Sequence, residues 1–211
     1  MSMPRSEAHD RPETKRGDRE GRRRDILRAA ADILETSGYA EMNMRAIASR
    51  AGVSAGTPYS YFVSKEEIFA TLLGRRFDEL TARFDEAAGR CATLSELMGV
   101  VIPLVTDMQR GLGQHATTWE RAAGASSPVA VGLGEAVAHT MAALERAVRS
   151  TAARQGLIVD AAPATRALVW SIVLGIANVS VAGLERLLDY QPHDLIELAA
   201  RMIGKGLIEG S

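Results

Sequence analysis

The segment from Met44 to Lys65 carries seven residues suited to contact with a polyanion. Two are cationic, three carry hydroxyl groups, and two are small enough to let the backbone approach another surface closely. In order they are Arg45, Ala55, Gly56, Thr57, Tyr59, Tyr61 and Lys65. Cations and hydroxyls bind phosphate oxygens whatever the base sequence, so most of these contacts would position the chain on DNA and few would read its sequence.

The elements predicted around these residues are two short helices joined by a tight turn. Asn43 can cap a helix from about Met44 to Ala51, and Gly52 supplies the turn. Ser54 can cap a second helix, from Ala55 to Phe62. This arrangement is the geometry of a helix-turn-helix, whose second helix can lie in the major groove of DNA.

Two longer helices are expected on either side. The apolar residues of the first share one face at helical spacing, and Gly38 ends that helix. They are Ile26, Leu27, Ala30, Ile33 and Leu34. Ser64 and Glu67 form a capping box for the next helix, which has its own apolar stripe. The stripe consists of Phe69, Leu73, Phe77, Leu80 and Phe84.

Residues 26–73 resemble the DNA-binding domain of the tetracycline-repressor (TetR) family. The matching pieces, in order, are AAADILETSGY, IASRAGVS, GTPYSYF and SKEEIF. The resemblance implies a cytoplasmic homodimer that binds a palindromic double-stranded DNA operator, usually as a repressor released by a small-molecule effector. It assigns DNA contacts to the seven residues named above. Pro58 departs from the family pattern, because a branched apolar residue is usual there and proline lacks the N–H of an early helix bond.

The rest of the chain is predicted to be helical, so the fold class is all-α, with a three-helix DNA-binding domain and a larger helical domain. We expect a mobile polar arm over 1–20, the helix-turn-helix domain over 21–66 and a ligand-binding and dimerisation domain over 67–211. The five arginines that end the arm could touch phosphates or the minor groove, or simply be solvated. They are Arg16, Arg19, Arg22, Arg23 and Arg24.

Residues 167–184 contain no charged residue. The length of this uncharged run is near the minimum for a membrane span. Polar residues and glycines dilute this run, so we favour a helix buried on all sides, between its own domain and a second subunit, over a membrane-associated protein. The last two helices would form the dimer interface, with no membrane contact. The interface residues expected on the last helix are Leu195, Ile196, Leu198, Met202, Ile203 and Leu207.

An effector pocket should be largely apolar with a few polar groups. The candidates come from the middle helices, and each is also compatible with an ordinary core or surface position. They are Met98, Met108, Gln114, His115, Thr118, Trp119, Met141 and Trp170.

The distribution of charge and the absence of catalytic motifs favour a binding protein over an enzyme. Residues 1–76 have a net charge of +3 and residues 77–211 a net charge of −4, which suits a front domain that meets a polyanion. Neither a nucleophile–base cluster, a phosphate loop nor metal-ligand spacing is visible, so we expect no enzyme activity, no cofactor and no metal. The single cysteine, Cys91, excludes an internal disulfide. The alternative that remains is a helical module that binds protein instead of DNA.

Overall fold

The computed structural model describes residues 13–116, 127–184, 187 and 189–206, and within them all regular structure is helical. Seven α-helices are present in these ranges, together with 3-10 turns at Pro58–Ser60 and Gly113–His115. The helices are α1 Glu13–Ser37, α2 Met44–Arg50, α3 Lys65–Arg90, α4 Leu94–Gly111, α5 Pro128–Arg154, α6 Pro163–Val181 and α7 Pro192–Gly206. The chain divides into two compact units, Met1–Ile68 and Phe69–Ser211.

The first unit is built on the apolar face of α1, which packs against α2. All five residues predicted for this face are buried, with Ile26 and Ala30 fully inaccessible. Ile47 of α2 closes the core from the other side, and Tyr39, Met42 and Phe62 fill it from the connecting segments. The predicted face of α1 is therefore confirmed. The three connecting residues join the core although no periodic pattern marks them.

Helix α1 is longer than expected. It begins at Glu13, so residues 13–20 belong to a helix and not to the polar arm predicted over 1–20. Residues 1–12 lie outside the described ranges. Residues 13–20 show no apolar periodicity, and charged residues alone do not reveal where a solvent-exposed helix begins.

The second unit has its core where α4 packs against α6 and α7. From α4 the core takes Leu97, Met98 and Val101, each with no accessible surface. All five residues of the α3 stripe are also buried, as predicted. Thr93 caps α4 and Ser127 caps α5 through their side-chain oxygens.

Helices α3 and α5 are joined by polar contacts along their length. The fully buried Thr140 hydroxyl donates to the Phe77 carbonyl oxygen at 3.0 Å and lies 2.9 Å from the Thr81 hydroxyl. At the end of the pair, the Arg154 guanidinium donates to the carbonyl oxygens of Ala88 and Cys91, each at 2.6 Å. These contacts satisfy carbonyls at the end of α3 that have no partner within the helix.

Within the described ranges, helix α6 is covered on one side. Its buried residues are Thr165, Val169, Val173 and Ala177, spaced four apart, whereas Leu168 is 49% exposed. Its length and composition suit a membrane span, with a mean hydropathy of 1.5 and 17% of the most apolar window buried. The same length and composition also suit a helix that packs against another protein surface.

Helix α7 departs from its prediction at one position. Ile203 was expected at a dimer interface, but it has no accessible surface and packs into the core of its own unit beside Ala199 and Ala200. Leu198 and Met202 are 44% and 55% exposed, and Leu195 and Ile196 are half-buried. Leu207 lies outside the described residues. Helical periodicity defined the apolar residues of α7 but not which of them its own unit would cover.

Substitution of Thr140 by Val should lower the free energy of unfolding by about 1–2 kcal/mol, because valine keeps the shape but cannot bond the Phe77 carbonyl or the half-buried Thr81 hydroxyl. Chemical denaturation of the full-length protein would measure the loss. Ser150→Ala on the same helix is the control, since the Ser150 hydroxyl bonds only within α5, to Ala147. Equal stability of the two variants would contradict a stabilising role for the α3–α5 contact.

Candidate nucleic-acid interface

The helix-turn-helix begins with a well-formed α2. The Asn43 side-chain oxygen accepts the Ala46 N–H at 2.9 Å, which is the N-cap predicted from the sequence. After α2, Gly52 adopts a φ of 67°, a conformation that favours glycine and turns the chain sharply. Arg45 lies in the first turn of α2 and is exposed. The first helix and the turn are therefore as expected.

The second predicted helix is the main correction. Residues 55–62 do not form a regular α-helix: a turn over 55–57 leads into a 3-10 turn at Pro58–Ser60. The backbone bonds are mostly of the shorter type, from Thr57 N–H to the Ser54 carbonyl and from Ser60 N–H to the Thr57 carbonyl. Proline at 58 lacks the N–H that would donate to the Ser54 carbonyl in an α-helix, so the first α-type bond cannot form.

The residues expected to meet DNA lie on the accessible side of this segment. Ala55 and Gly56 are exposed, and Tyr59 is 62% exposed. Thr57 and Tyr61 are half-buried, and the Thr57 hydroxyl lies 2.7 Å from that of Ser54. Pro58 is buried. This surface offers hydroxyl groups and a close backbone approach to a partner outside the chain.

Lys65 lies at the start of α3 and is half-buried, with its ammonium nitrogen 4.5 Å from the centre of the Tyr39 ring. The Tyr39 hydroxyl donates to the Glu66 carboxylate at 3.3 Å. Burial, assisted by the negative charge of Glu66, raises the pKa of Tyr39, so the phenol stays protonated and attracts the lysine through its ring face. The cation is thus held beside the amino end of α3, where an anion is also favoured.

The capping box predicted at this helix start is present with one change. The Glu67 N–H donates to the Ser64 hydroxyl at 3.4 Å, as expected. The Glu67 carboxylate accepts the N–H of Val63, at 2.6 Å, one residue before the cap. The amino end of α3 is therefore ordered by its own side chains in the absence of any partner.

Two arginines of α1, Arg19 and Arg23, also lie against this segment; both belong to the arginine run expected at the end of the polar arm. The Arg23 guanidinium carbon lies 4.9 Å from the centre of the Phe62 ring, and that of Arg19 lies 5.9 Å from the centre of the Tyr61 ring. The only sequence signal was the run of arginines before the first apolar residue. Without the helical register of residues 13–25, that run could not be assigned to a face.

The effector-pocket candidates of the second unit have different surroundings. Met98 is fully buried in the core, which is the ordinary explanation for a methionine at helical spacing. Met108 lines a groove of about 290 Å³ with Leu80 and Leu104. Met141 and Trp170 are half-buried. Thr118 and Trp119 lie outside the described residues, and only the backbone of Gln114 is described.

His115 is a half-buried residue at the end of the 3-10 turn Gly113–His115. Its Nε2 atom is buried and has no hydrogen-bond partner among the described residues. Burial lowers the pKa of this imidazole and so favours the neutral ring. Its role as a ligand contact stays a prediction.

Comparison with known proteins gives the strongest match in the first unit. Residues 26–72 match the family model of bacterial regulatory proteins, tetR family. The HTH-type transcriptional repressor KstR of Mycolicibacterium smegmatis is 45% identical over 67 residues, which are 32% of this chain and 33% of KstR. The chain therefore aligns with about a third of the length of this relative.

Among solved structures the likeness extends over most of the chain. A protein of unknown function from Rhodococcus sp. RHA1 superposes with a TM-score of 0.70 at 20% identity, over 89% of this chain and 96% of that one. The transcriptional regulator FadR from Bacillus subtilis, in complex with stearoyl-CoA, has a TM-score of 0.58 at 20% identity, over 87% and 98% of the two chains. At this identity the likeness concerns the fold.

Fold and site together define a helix-turn-helix protein with a second, all-helical unit. Residues 26–72 carry the sequence of the tetR family of bacterial regulatory proteins. The fold is similar to that of a TetR family transcription regulator from Marinobacter aquaeolei VT8, with a TM-score of 0.59 at 17% identity over 92% of this chain and 100% of that one.

Substitution of Asn43 by Ala removes the cap of α2 and should lower the local stability of the helix-turn-helix by about 1 kcal/mol. Hydrogen exchange by NMR would detect the change as faster exchange at the Ala46 amide, whose bond to Asn43 is lost. Ser49→Ala, an exposed position on the same helix, should leave that exchange rate unchanged. Unaltered exchange in Asn43→Ala would show that the cap does not hold α2.

Proposed function

We propose that this protein is a DNA-binding transcription regulator that represses by binding a palindromic operator as a homodimer and is released by a small-molecule effector. The observation that carries the proposal is the exposed helix-turn-helix surface of the first unit, in the part of the chain that matches the TetR family. The similarity of that unit to a named repressor, KstR, supports repression over activation.

The contacts follow from side-chain chemistry and exposure. Arg45 and Thr57 can reach base edges, since each lies at the amino end of an element that would face the groove. Tyr59, Tyr61 and Lys65 are suited to phosphate oxygens, and Ala55 and Gly56 allow the backbone to approach the DNA. Because Ala55 cannot hydrogen-bond a base, the shape of the duplex contributes to recognition.

A second copy of the chain is the proposed partner of α6 and α7. Leu168, Leu198 and Met202 are large apolar side chains that the second unit leaves exposed. Gly175 and Ser171 are exposed on α6 as well, and small residues let a partner helix approach closely. A two-fold interface would cover the same surface on both subunits and remove these apolar residues from water.

The effector binds in the second unit and favours a dimer shape whose two recognition segments no longer match successive grooves, which lie roughly 34–36 Å apart. The FadR structure holds stearoyl-CoA, so long-chain acyl-CoA thioesters are the first class of effector to test. A regulator of this kind acts in the cytoplasm, beside the chromosome.

Selection of genomic fragments with the purified protein would supply the operator for the next measurement. Lys65→Ala should weaken binding to every duplex and flatten the slope of log affinity against log salt by about one unit per bound subunit, since each subunit loses one phosphate contact. Thr57→Ala should instead reduce the preference for the operator, by about 1–3 kcal/mol for a lost base contact. Absence of salt-dependent DNA binding in the wild-type protein would favour a protein-binding module.

Substitution of Leu168 by Glu should convert the dimer into a monomer, because a charge would be buried without a partner at the proposed interface. Light scattering coupled to size-exclusion chromatography would report the mass, with circular dichroism to verify that the helices persist. Val131→Glu on α5 is the control, as Val131 is 54% exposed but lies outside the interface. A monomeric wild-type protein, or a Leu168→Glu dimer, would exclude this interface.

A further inference from the structure

We propose that the amino-terminal turns of α1 form a second DNA-contact surface, in which Arg19, Arg22 and Arg23 bind backbone phosphates of the duplex beside the segment 57–62. The inference rests on the proposed function and adds a contact region that lies outside the helix-turn-helix itself.

The helical register of α1 places the three arginines on one face. At 100° per residue, Arg19, Arg22 and Arg23 fall within an arc of about 100°. The same arc, one to three turns further along, contains the core residues Ile26 and Ala30. The face that packs into the first unit therefore continues past the core as a basic surface. The acidic residues of these turns lie outside the arc: Asp18, Glu20 and Asp25.

Two of the three arginines are held at the candidate interface by aromatic rings. Arg19 lies over Tyr61, a proposed phosphate contact, and Arg23 lies over Phe62, which is fixed in the core. A guanidinium stacked on a ring face keeps its N–H groups available at the edge for a phosphate oxygen. The basic face of α1 is thus continuous with the end of the recognition segment.

The charge of these arginines is not balanced within the described part of the chain. Arg19, Arg22 and Arg23 form no ion pair with any described carboxylate, whereas further along the first unit Arg28 pairs with Asp25 and Arg50 with Asp32. In the second unit pairing is common, as for Arg90 with Glu86 and Arg146 with Asp85. Three neighbouring cations without internal counter-charges repel one another, and an external polyanion relieves that repulsion.

Double-stranded DNA is the polyanion that fits this surface. Its phosphates repeat along each strand. A protein whose segment 57–62 contacts a groove therefore lies close to further phosphates on either side of that groove. Arginines that bind phosphates would add affinity without adding sequence preference.

The test compares the double variant Arg19→Ala/Arg22→Ala with Arg24→Ala and with Arg19→Lys/Arg22→Lys. Arg24 is an exposed arginine in the same turns, but its register places it on the opposite side of α1. Fluorescence anisotropy would measure binding to a labelled 30-base-pair mixed-sequence duplex and to a duplex recovered by genomic selection, each over a series of NaCl concentrations. Circular dichroism and the thermal midpoint would verify folding.

The salt slope of the alanine double variant should flatten by about two units per bound subunit, and so by about four for a dimer, since each phosphate contact contributes about 0.9. Its affinity for the two duplexes should fall by the same factor. The lysine variant should keep the wild-type slope because it keeps the charges, and Arg24→Ala should also keep it. An unchanged slope in the alanine variant, or an equal loss in Arg24→Ala, would overturn the α1 surface while leaving the proposed function intact. A wild-type protein that binds neither duplex would overturn both.

Discussion

A single missing backbone donor shapes the part of the molecule on which the proposed DNA recognition depends. Pro58 lacks the N–H that an α-helix starting at Ser54 would need, and the chain responds with a turn followed by a 3-10 turn. The surface offered to a groove is therefore shorter and tighter than a standard recognition helix. Its small residues, Ala55 and Gly56, favour close backbone approach, so shape should count for more than side-chain readout. The surrounding elements, α2 and the start of α3, hold this segment through their own caps.

The parts of the fold that could be predicted are those decided by neighbours in the sequence. Asn43 caps α2 as expected, because a cap needs only a side-chain oxygen within three residues of the N–H that it satisfies. The buried faces of α1 and α3 followed from helical periodicity for the same reason. The conformation of residues 55–62 could not be predicted in this way, because the family pattern favoured a helix. Whether Pro58 disrupts that helix depends on how the turn around it can rearrange.

Predictions that depend on distant parts of the chain were less successful. The apolar residues of α7 were identified, but Ile203 belongs to its own core while Met202 is exposed, and only the packing against α4 decides between them. Met98 is a core residue for the same reason. The contacts of Arg19 and Arg23 with Tyr61 and Phe62 join segments some forty residues apart, so no local pattern could reveal them.

Two adjacent residues at the end of α5 tie together the corner between α3 and α4. Arg154 binds the last carbonyl groups of α3, and the neighbouring Gln155 accepts the Leu94 N–H, at the start of α4, at 2.8 Å. The end of α3 and the start of α4 are thus both bonded to the end of α5. The two helices cannot separate at this corner unless one of these sets of hydrogen bonds breaks, so the three helix ends should move as one rigid joint. Bending within the second unit would then be confined to regions away from this joint, such as the middle of α4 around Pro103.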